Sequence, residues 1–496
     1  MNDMTTLHPI IDPIAGRAFS LAGDLALSSW ASYRLLFVPP LIGDSRDWLS
    51  RRRAAAAFAR ARTQVPAYRQ FLREQGAIGV AAFEDIPPMD KATYIARWSL
   101  EELCVGGRLP DRGAVIDESS GSSGAASNWV RGAAERRAAR RLLQYSSRSC
   151  FGENSFILLN TFALGPWATG MNVSMSLVDR CLLKSIGPDV AKVVATLELL
   201  GPRYRYVIAG YPPFLKTLVD SADIDWSKYD VRTVVGGEGM SEPLRTALNR
   251  CFRKTISSFG ASDLEINLAV ETEFSIALRQ TIDACPAIGR DLFGHEALPM
   301  IFQYDPLTCL IESDAERNLL FTINRLENVS PRIRYNIHDR GLVRSMRQVD
   351  AVLRDHGMRL DVEGPRVDLP LLFHWGRQDS AVGFYGCKIT PDDIQQVVLR
   401  VPQLADVAAN FALHPFEDAC ANKRLELWVE VKPDAPQHDS RSLDAAVWRE
   451  LASVNQDFRE SIKMVPADRR PTLRLFAAGR SPLTGQDVRL KRRYIV

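Results

Sequence analysis

Histidine is scarce in this chain, seven in 496 residues, and no two are spaced as HxH or HExxH. That removes the usual patterns for a zinc ion held by neighbouring imidazoles. Cysteine is no better organised. The eight thiols, at positions 104, 150, 181, 251, 285, 309, 387 and 420, form no CxxC pair. No disulfide framework or zinc ribbon follows, and reduced thiols in a chain of this size point to a cytoplasmic setting. A charge excess is missing too. Lys and Arg total 62 against 59 Asp and Glu, a net charge of +3, too little to gather nucleic acid or an anionic membrane. Arginines do cluster at 136, 137, 140 and 141, but they share a segment with alanines ahead of Leu142 and Leu143, the pattern of a solvated helix face. Long apolar runs are also lacking. The most apolar early stretch, 21–42, is interrupted by Asp24, Arg34 and the pair Pro39 and Pro40. It therefore reads as a core-packing or partner-facing helix, compatible with a homodimer, and not as a membrane span.

What is present is a soluble composition, 46% apolar and 24% charged, in a chain too long for one hydrophobic core. Residues 1–84 read as a helical segment packed on the core, with a helix over 48–67 ending near Pro66. The run Ile86, Pro87, Pro88, Met89, Asp90 reads as a helix entry capped by Asp90. From 115 to about 370, short β-branched strands (156–159, 206–209, 233–235, 255–258) alternate with helices (190–200, 242–251), which favours parallel sheets covered by helices. Strands are also expected at 319–323 and 331–335. A boundary falls at Gln378 and Asp379. Beyond it a helix over 391–400, a strand over 425–431 and a helix over 445–461 make a compact α+β unit.

The richest segment is ESSGSSGAASNW, residues 118–129. Ser119, Ser120, Ser122 and Ser123 are interleaved with Gly121 and Gly124. Glycine permits close backbone approach, and serine hydroxyls with freed N–H groups can surround phosphate oxygens. Flanking residues Val115, Ile116, Trp129 and Val130 read as strands, so the loop would cap a hairpin. It is not a GxxxxGK[ST] loop, and alone it reads as a flexible Gly/Ser turn. Three further segments follow in order: VVGGEGMSE at 234–242, SFGASDLE at 258–265, and PRIRYNIHD at 331–339 with WGRQDSAVGFYGCKITPDDI at 375–394.

This order resembles the adenylate-forming superfamily, and within it the phenylacetate–CoA ligase-like branch, over about residues 85–496. The resemblance implies an α/β core domain at 85–377, with helix-covered β-sheets, and an α+β lid at 378–496. It also implies a two-step reaction. A carboxylate attacks the α-phosphate of ATP to give an acyl-adenylate, and a thiol or amine then displaces AMP. Charge builds on phosphate oxygens in the first step, so donors and Mg²⁺ are needed where it develops.

The resemblance assigns the serine loop to the triphosphate, and Gly236, Gly237 and Glu238 to the adenine and its edge. Phe259, followed by Gly260, would stack on the adenine, and Ser262 would contact the α-phosphate. Asp263 stands where the family usually has the glutamate that holds Mg²⁺, and Glu265 is a fallback ligand. Asp339 matches the acid that accepts from both ribose hydroxyls, Arg377 would reach the same ribose or its phosphate, and Asp379 matches the hinge. Phe162, Trp167, Tyr211 and Phe214 would line an apolar, aromatic acyl pocket, although core aromatics are commoner.

Two departures stand out. Ala125, Ala126 and Ser127 supply no lysine to close the serine loop. Near the end, Gln486 follows Gly485 where the family places its adenylation lysine, and Lys491 lies five residues on. Lys491 either replaces the lost cation or is a solvated tail charge.

The implied function is an ATP- and Mg²⁺-dependent ligase that activates an aromatic or other apolar carboxylic acid and hands it to a thiol, coenzyme A first among candidates. Transfer to an amine or a carrier protein is the alternative enzyme. A degenerate nucleotide-binding homologue without catalysis is the alternative of another class.

Overall fold

The computed structural model describes residues 13–37, 43–118, 127–165, 168–294, 298–363, 366–377, 381–405, 407–433 and 440–483. Eleven strands among them form one continuous sheet. One half is parallel: Leu182–Ser185, Ile157–Asn160, Arg205–Gly210, Asp230–Val235 and Lys254–Phe259 lie side by side. Helices Ala168–Leu177, Pro212–Ser221 and Glu242–Asn249 carry the crossovers that parallel neighbours require. The core of this half is built from residues such as Leu159, Ile208, Val231 and Leu248.

The expectation of parallel sheets throughout fails beyond Phe259. That strand pairs antiparallel with Ala269–Val270, and Met300–Tyr304, Leu371–Arg377, Tyr335–Arg344, Asn318–Ile323 and Cys309–Ser313 continue antiparallel. Connections such as the turn from Ser313 to Asn318 are too short for a parallel crossover. Side chains alternate across this half. Leu371 and Phe373 enter one core with helices Glu273–Ala284, Pro286–Phe293 and Met346–Asp355, while Leu372 enters the other. That second core is closed by the N-terminal helices through Phe58, Tyr68 and Phe71.

Some boundaries differ from the sequence reading. Pro66 does not end a helix; it opens Pro66–Glu74, directly after Gly43–Gln64, at the position where a missing N–H costs nothing. Asp90 caps a turn, its Oδ1 accepting from the Thr93 amide at 2.6 Å, but only the short 3₁₀ turn Ile95–Arg97 follows. The strand expected at 331–335 begins at Tyr335, because Arg334 holds a left-handed φ of 44° that interrupts an extended path. The helix expected over 445–461 is two, Ser440–Val454 and Gln456–Ser461; Asn455 breaks them, its side-chain oxygen accepting from the Phe458 amide at 2.9 Å.

The C-terminal part has its own core, including Ile394, Leu427, Val447 and Phe458. Its sheet is Ala408–Glu417, Lys423–Val431 and Thr472–Phe476. A small hairpin, Val382–Phe384 with Cys387–Ile389, belongs to the same core. No helix among the described residues is long and apolar enough to cross a membrane.

Candidate functional site

The strand that joins the two halves of the sheet, Lys254–Phe259, ends in the turn that organises the site. A side chain at Gly260 would lie 1.9 Å from the Ile266 carbonyl oxygen, so only glycine admits this reversal. The hairpin Val115–Glu118 with Asn128–Arg131 is bound to the turn by one buried arginine. Arg131 pairs with Asp117 at 2.8 Å and donates to the carbonyls of Ser262 at 2.6 Å and Leu264 at 2.7 Å. Arg332 adds a second tie. Its Nε donates to the Asp263 carbonyl at 2.9 Å, while its guanidinium lies 4.5 Å from the centre of the Trp129 ring. Burial pushes the Arg332 pKa down, and the carbonyls and ring faces around it stand in for water.

The turn they hold faces a cavity of about 350 Å³ between the sheet and the C-terminal hairpin. Its walls bring together Gly237, Glu238, Phe259, Gly260, Ser262, Asp263 and Asp339. Glu118, the last residue before the serine loop, lies on the same wall. Asp339 is 5% exposed, and its Oδ2 is 2.8 Å from Nε2 of His374. The His374 ring stands 4.7 Å from that of Phe259. Asp339 is opposite Arg377 in the strand register. Asp263 accepts from the Tyr335 hydroxyl at 3.2 Å. Burial, and then the Asp263 carboxylate, push the Tyr335 pKa well up, so this phenol stays a neutral donor.

Asp263 thus presents a carboxylate to the cavity beside Ser262, whose hydroxyl is 3.3 Å from it. One carboxylate with room for phosphate oxygens and water is a donor set that suits Mg²⁺. Glu265 is no fallback: it is buried in an ion pair with Arg325 and is absent from this cavity's wall.

A second, mostly apolar cavity of about 100 Å³ adjoins the first. Thr169, Gly237, Ser258, Gly260, Ala261 and Ser262 line both. Its depth is walled by Phe156, Leu158, Val173, Leu177 and Val207. Of the expected acyl-pocket aromatics, Phe162 lines it. Tyr211 instead lines the larger cavity, its ring against Gly237 and Gly386 and 5.1 Å from Phe162. Phe214 is core and lines neither. The lining is therefore more aliphatic than the sequence suggested.

Glu238 does more than edge the cavity. It accepts from the Gly386 amide and from Lys423, both in the C-terminal part. His374, Lys423 and the cavity residue Lys388 were missed by the sequence reading, since a lone histidine or lysine within a strand carries no pattern. Ser119, Ser120, Gly121, Ser122, Ser123, Gly124, Trp167, Asp379, Gln486 and Lys491 lie outside the described residues, and of Arg377 only the backbone is described.

No family model matches the chain, and no curated protein sequence matches it. Solved structures do. A 2-hydroxyisobutyryl-CoA ligase in complex with 2-HIB-AMP and CoA, in its thioesterification state, aligns with a TM-score of 0.61 at 14% identity, over 91% of this chain and 90% of that chain. The same ligase in the postadenylation state with 2-HIB-AMP aligns at 0.53 and 14% identity, over 93% and 90% of the two chains.

Proposed function

We propose that this chain, which has the fold of the adenylate-forming ligases, is an ATP-dependent ligase. In this reading it activates an apolar carboxylic acid as its acyl-adenylate and passes the acyl group to a thiol, coenzyme A, in the manner of phenylacetate–CoA ligase-like enzymes. The observation that carries the reading is the pair of joined cavities, one polar and one apolar. Both are bounded by Gly237 and the turn from Gly260 to Ser262. An acid seated in the apolar cavity brings its carboxylate to that shared rim, where the α-phosphate of a nucleotide in the polar cavity would meet it.

The chain's own groups suit the parts of the nucleotide. Phe259 and the backbone of Gly237 offer a flat apolar slot for a purine. Asp339, oriented by His374, offers acceptor oxygens to a ribose diol. Ser262 and the serine loop offer donors to phosphate oxygens. Asp263 would hold Mg²⁺, which when bound neutralises charge on those oxygens. Transfer to coenzyme A is supported by the likeness to a solved CoA ligase in complex with 2-HIB-AMP and CoA.

Pyrophosphate release from ATP and Mg²⁺, measured with a panel of apolar acids, tests the reading. Release that requires both an acid and Asp339 is expected, with Asp339→Ala at least tenfold weaker in ATP affinity. A chain that binds ATP but releases no pyrophosphate with any acid would be a binding protein, and the ligase reading would fall.

A further inference from the structure

The apolar cavity contains polarity that the ligase reading does not use. Helix Ala133–Phe151 forms one of its walls and presents Ser146 and Ser147 there. Ser147 is 5% exposed, and its hydroxyl has no hydrogen-bond partner among the described residues. Several helical hydroxyls in this chain are satisfied by the carbonyl four residues back, as Thr217 is by Pro213 at 3.0 Å and Ser221 by Thr217 at 2.6 Å. Ser147 makes no such bond. A buried hydroxyl left unmatched costs stability, and this one lines a cavity in which a ligand could match it.

Its neighbour is set up as a donor. Ser258, on the rim shared by both cavities, donates to the Asn267 side-chain oxygen at 2.9 Å. Asn267 in turn donates through its amide nitrogen to the Ser146 hydroxyl at 3.2 Å. Ser146 is thus an acceptor in this relay, and its own proton is given no partner in it. The relay runs from the shared rim to residues that line the apolar cavity and not the nucleotide cavity. Two adjacent hydroxyls therefore reach the inner cavity with protons to give, against walls of Phe156, Leu158 and Val207 that offer nothing in return.

Resting on the ligase reading, we infer that the acid this cavity selects carries a hydrogen-bond acceptor on its apolar body. It is a keto, ether or hydroxy acid whose oxygen lies beyond the carbon next to the carboxylate and accepts from Ser146 and Ser147. The carboxylate belongs at the rim near Ser262, and the inner hydroxyls lie past it. A plain hydrocarbon chain would leave the Ser147 hydroxyl buried and unmatched, and discrimination against a substrate that lacks the expected polar group is characteristically strong in such sites.

Matched acids that differ by one oxygen test this with the full chain: pentanoate against levulinate, and phenylbutyrate against benzoylpropionate. Two readouts are taken, acid binding by calorimetry and kcat/KM for pyrophosphate release. The keto acid of each pair is expected to be preferred at least tenfold. Ser147→Ala and Ser146→Ala should bring the ratio towards one by weakening the keto acid alone. Ser147→Ala should not lower Tm, because it removes an unmatched hydroxyl. Equal handling of both members by the wild-type chain would overturn the inference, as would Ser→Ala changes that weaken both members equally. Turnover without preference would leave the ligase reading standing and sink this one. Preferential binding with no pyrophosphate release would do the reverse.

Discussion

Asp339 and His374 show what a single pair of side chains does here. The carboxylate is buried, and one of its oxygens is 2.8 Å from the imidazole, which fixes the plane in which it can meet a diol. His374→Ala should leave Asp339 in place but remove the bond that sets its plane. A hydrogen bond to a charged group is worth about 1.5–3 kcal/mol, so ATP and AMP affinity measured by calorimetry should fall roughly tenfold for both. Tm without ligand should change much less than for a core truncation. Unequal losses for ATP and AMP would place His374 at the phosphates instead. Asp339 was legible in the sequence because it closes a motif that arrives in order after three others. His374 was not, since its role depends on a strand pairing that brings it beside Asp339. Glu265 shows the opposite failure. Two residues from Asp263 it read as a spare ligand, yet the turn at Gly260 sends it into the core to Arg325.

At the scale of elements, the C-terminal hairpin is held to the core through Glu238. Its turn, Tyr385 and Gly386, has φ of 49° and 87°, the paired left-handed geometry of a two-residue hairpin whose twist suits its strands. That geometry aims the Gly386 amide at the Glu238 carboxylate, which Lys423 engages as well. Ser241 with Glu417 and Arg469 with Asp220, each at 2.5 Å, fasten the same two parts further along. Glu238→Ala should therefore loosen the hairpin without touching either core. Hydrogen exchange at the Gly386 amide is expected to speed up at least tenfold, with Ile256 in the sheet unchanged. Equal acceleration at both would mean that Glu238 supports the core and not the attachment. Elements were legible where packing imposes a pattern. The parallel half announced itself through apolar strands alternating with helices. The antiparallel half did not, because both kinds of ladder share the same side-chain period and differ only in how their ends are joined.

For the whole molecule, one buried carboxylate contributes an acid-range response that can be isolated by substitution. Asp305 lies between strands Met300–Tyr304 and Cys309–Ser313, with one oxygen accepting from the Leu307 amide at 2.9 Å and the other without a partner among the described residues. Burial pushes its pKa up to about 6, against the downward pull of the Leu307 amide and of Arg46 and Arg53. The native state therefore holds this proton where the unfolded chain has released it. Stability from this group is present below the ordinary carboxylate pKa and is lost as pH rises towards 6. Asp305→Asn should gain on the wild type by about 2–3 kcal/mol between pH 4 and pH 7, at 1.4 kcal/mol per pKa unit. Urea denaturation at the two pH values measures the difference, and parallel stability profiles would show Asp305 charged in the fold throughout. A last consequence belongs to strand Lys254–Phe259, whose Ile256 packs in the parallel half and whose Phe259 packs in the antiparallel half. The large sheet is in effect two halves sewn along one seam, and the cavities open at the end of that seam. A ligand seated in the larger cavity would touch both halves, so its binding free energy would accrue to the docking of one half on the other, growing with the logarithm of its concentration. On the proposed ligase reading, the nucleotide that supplies the chemistry would in this way also help the chain to finish assembling.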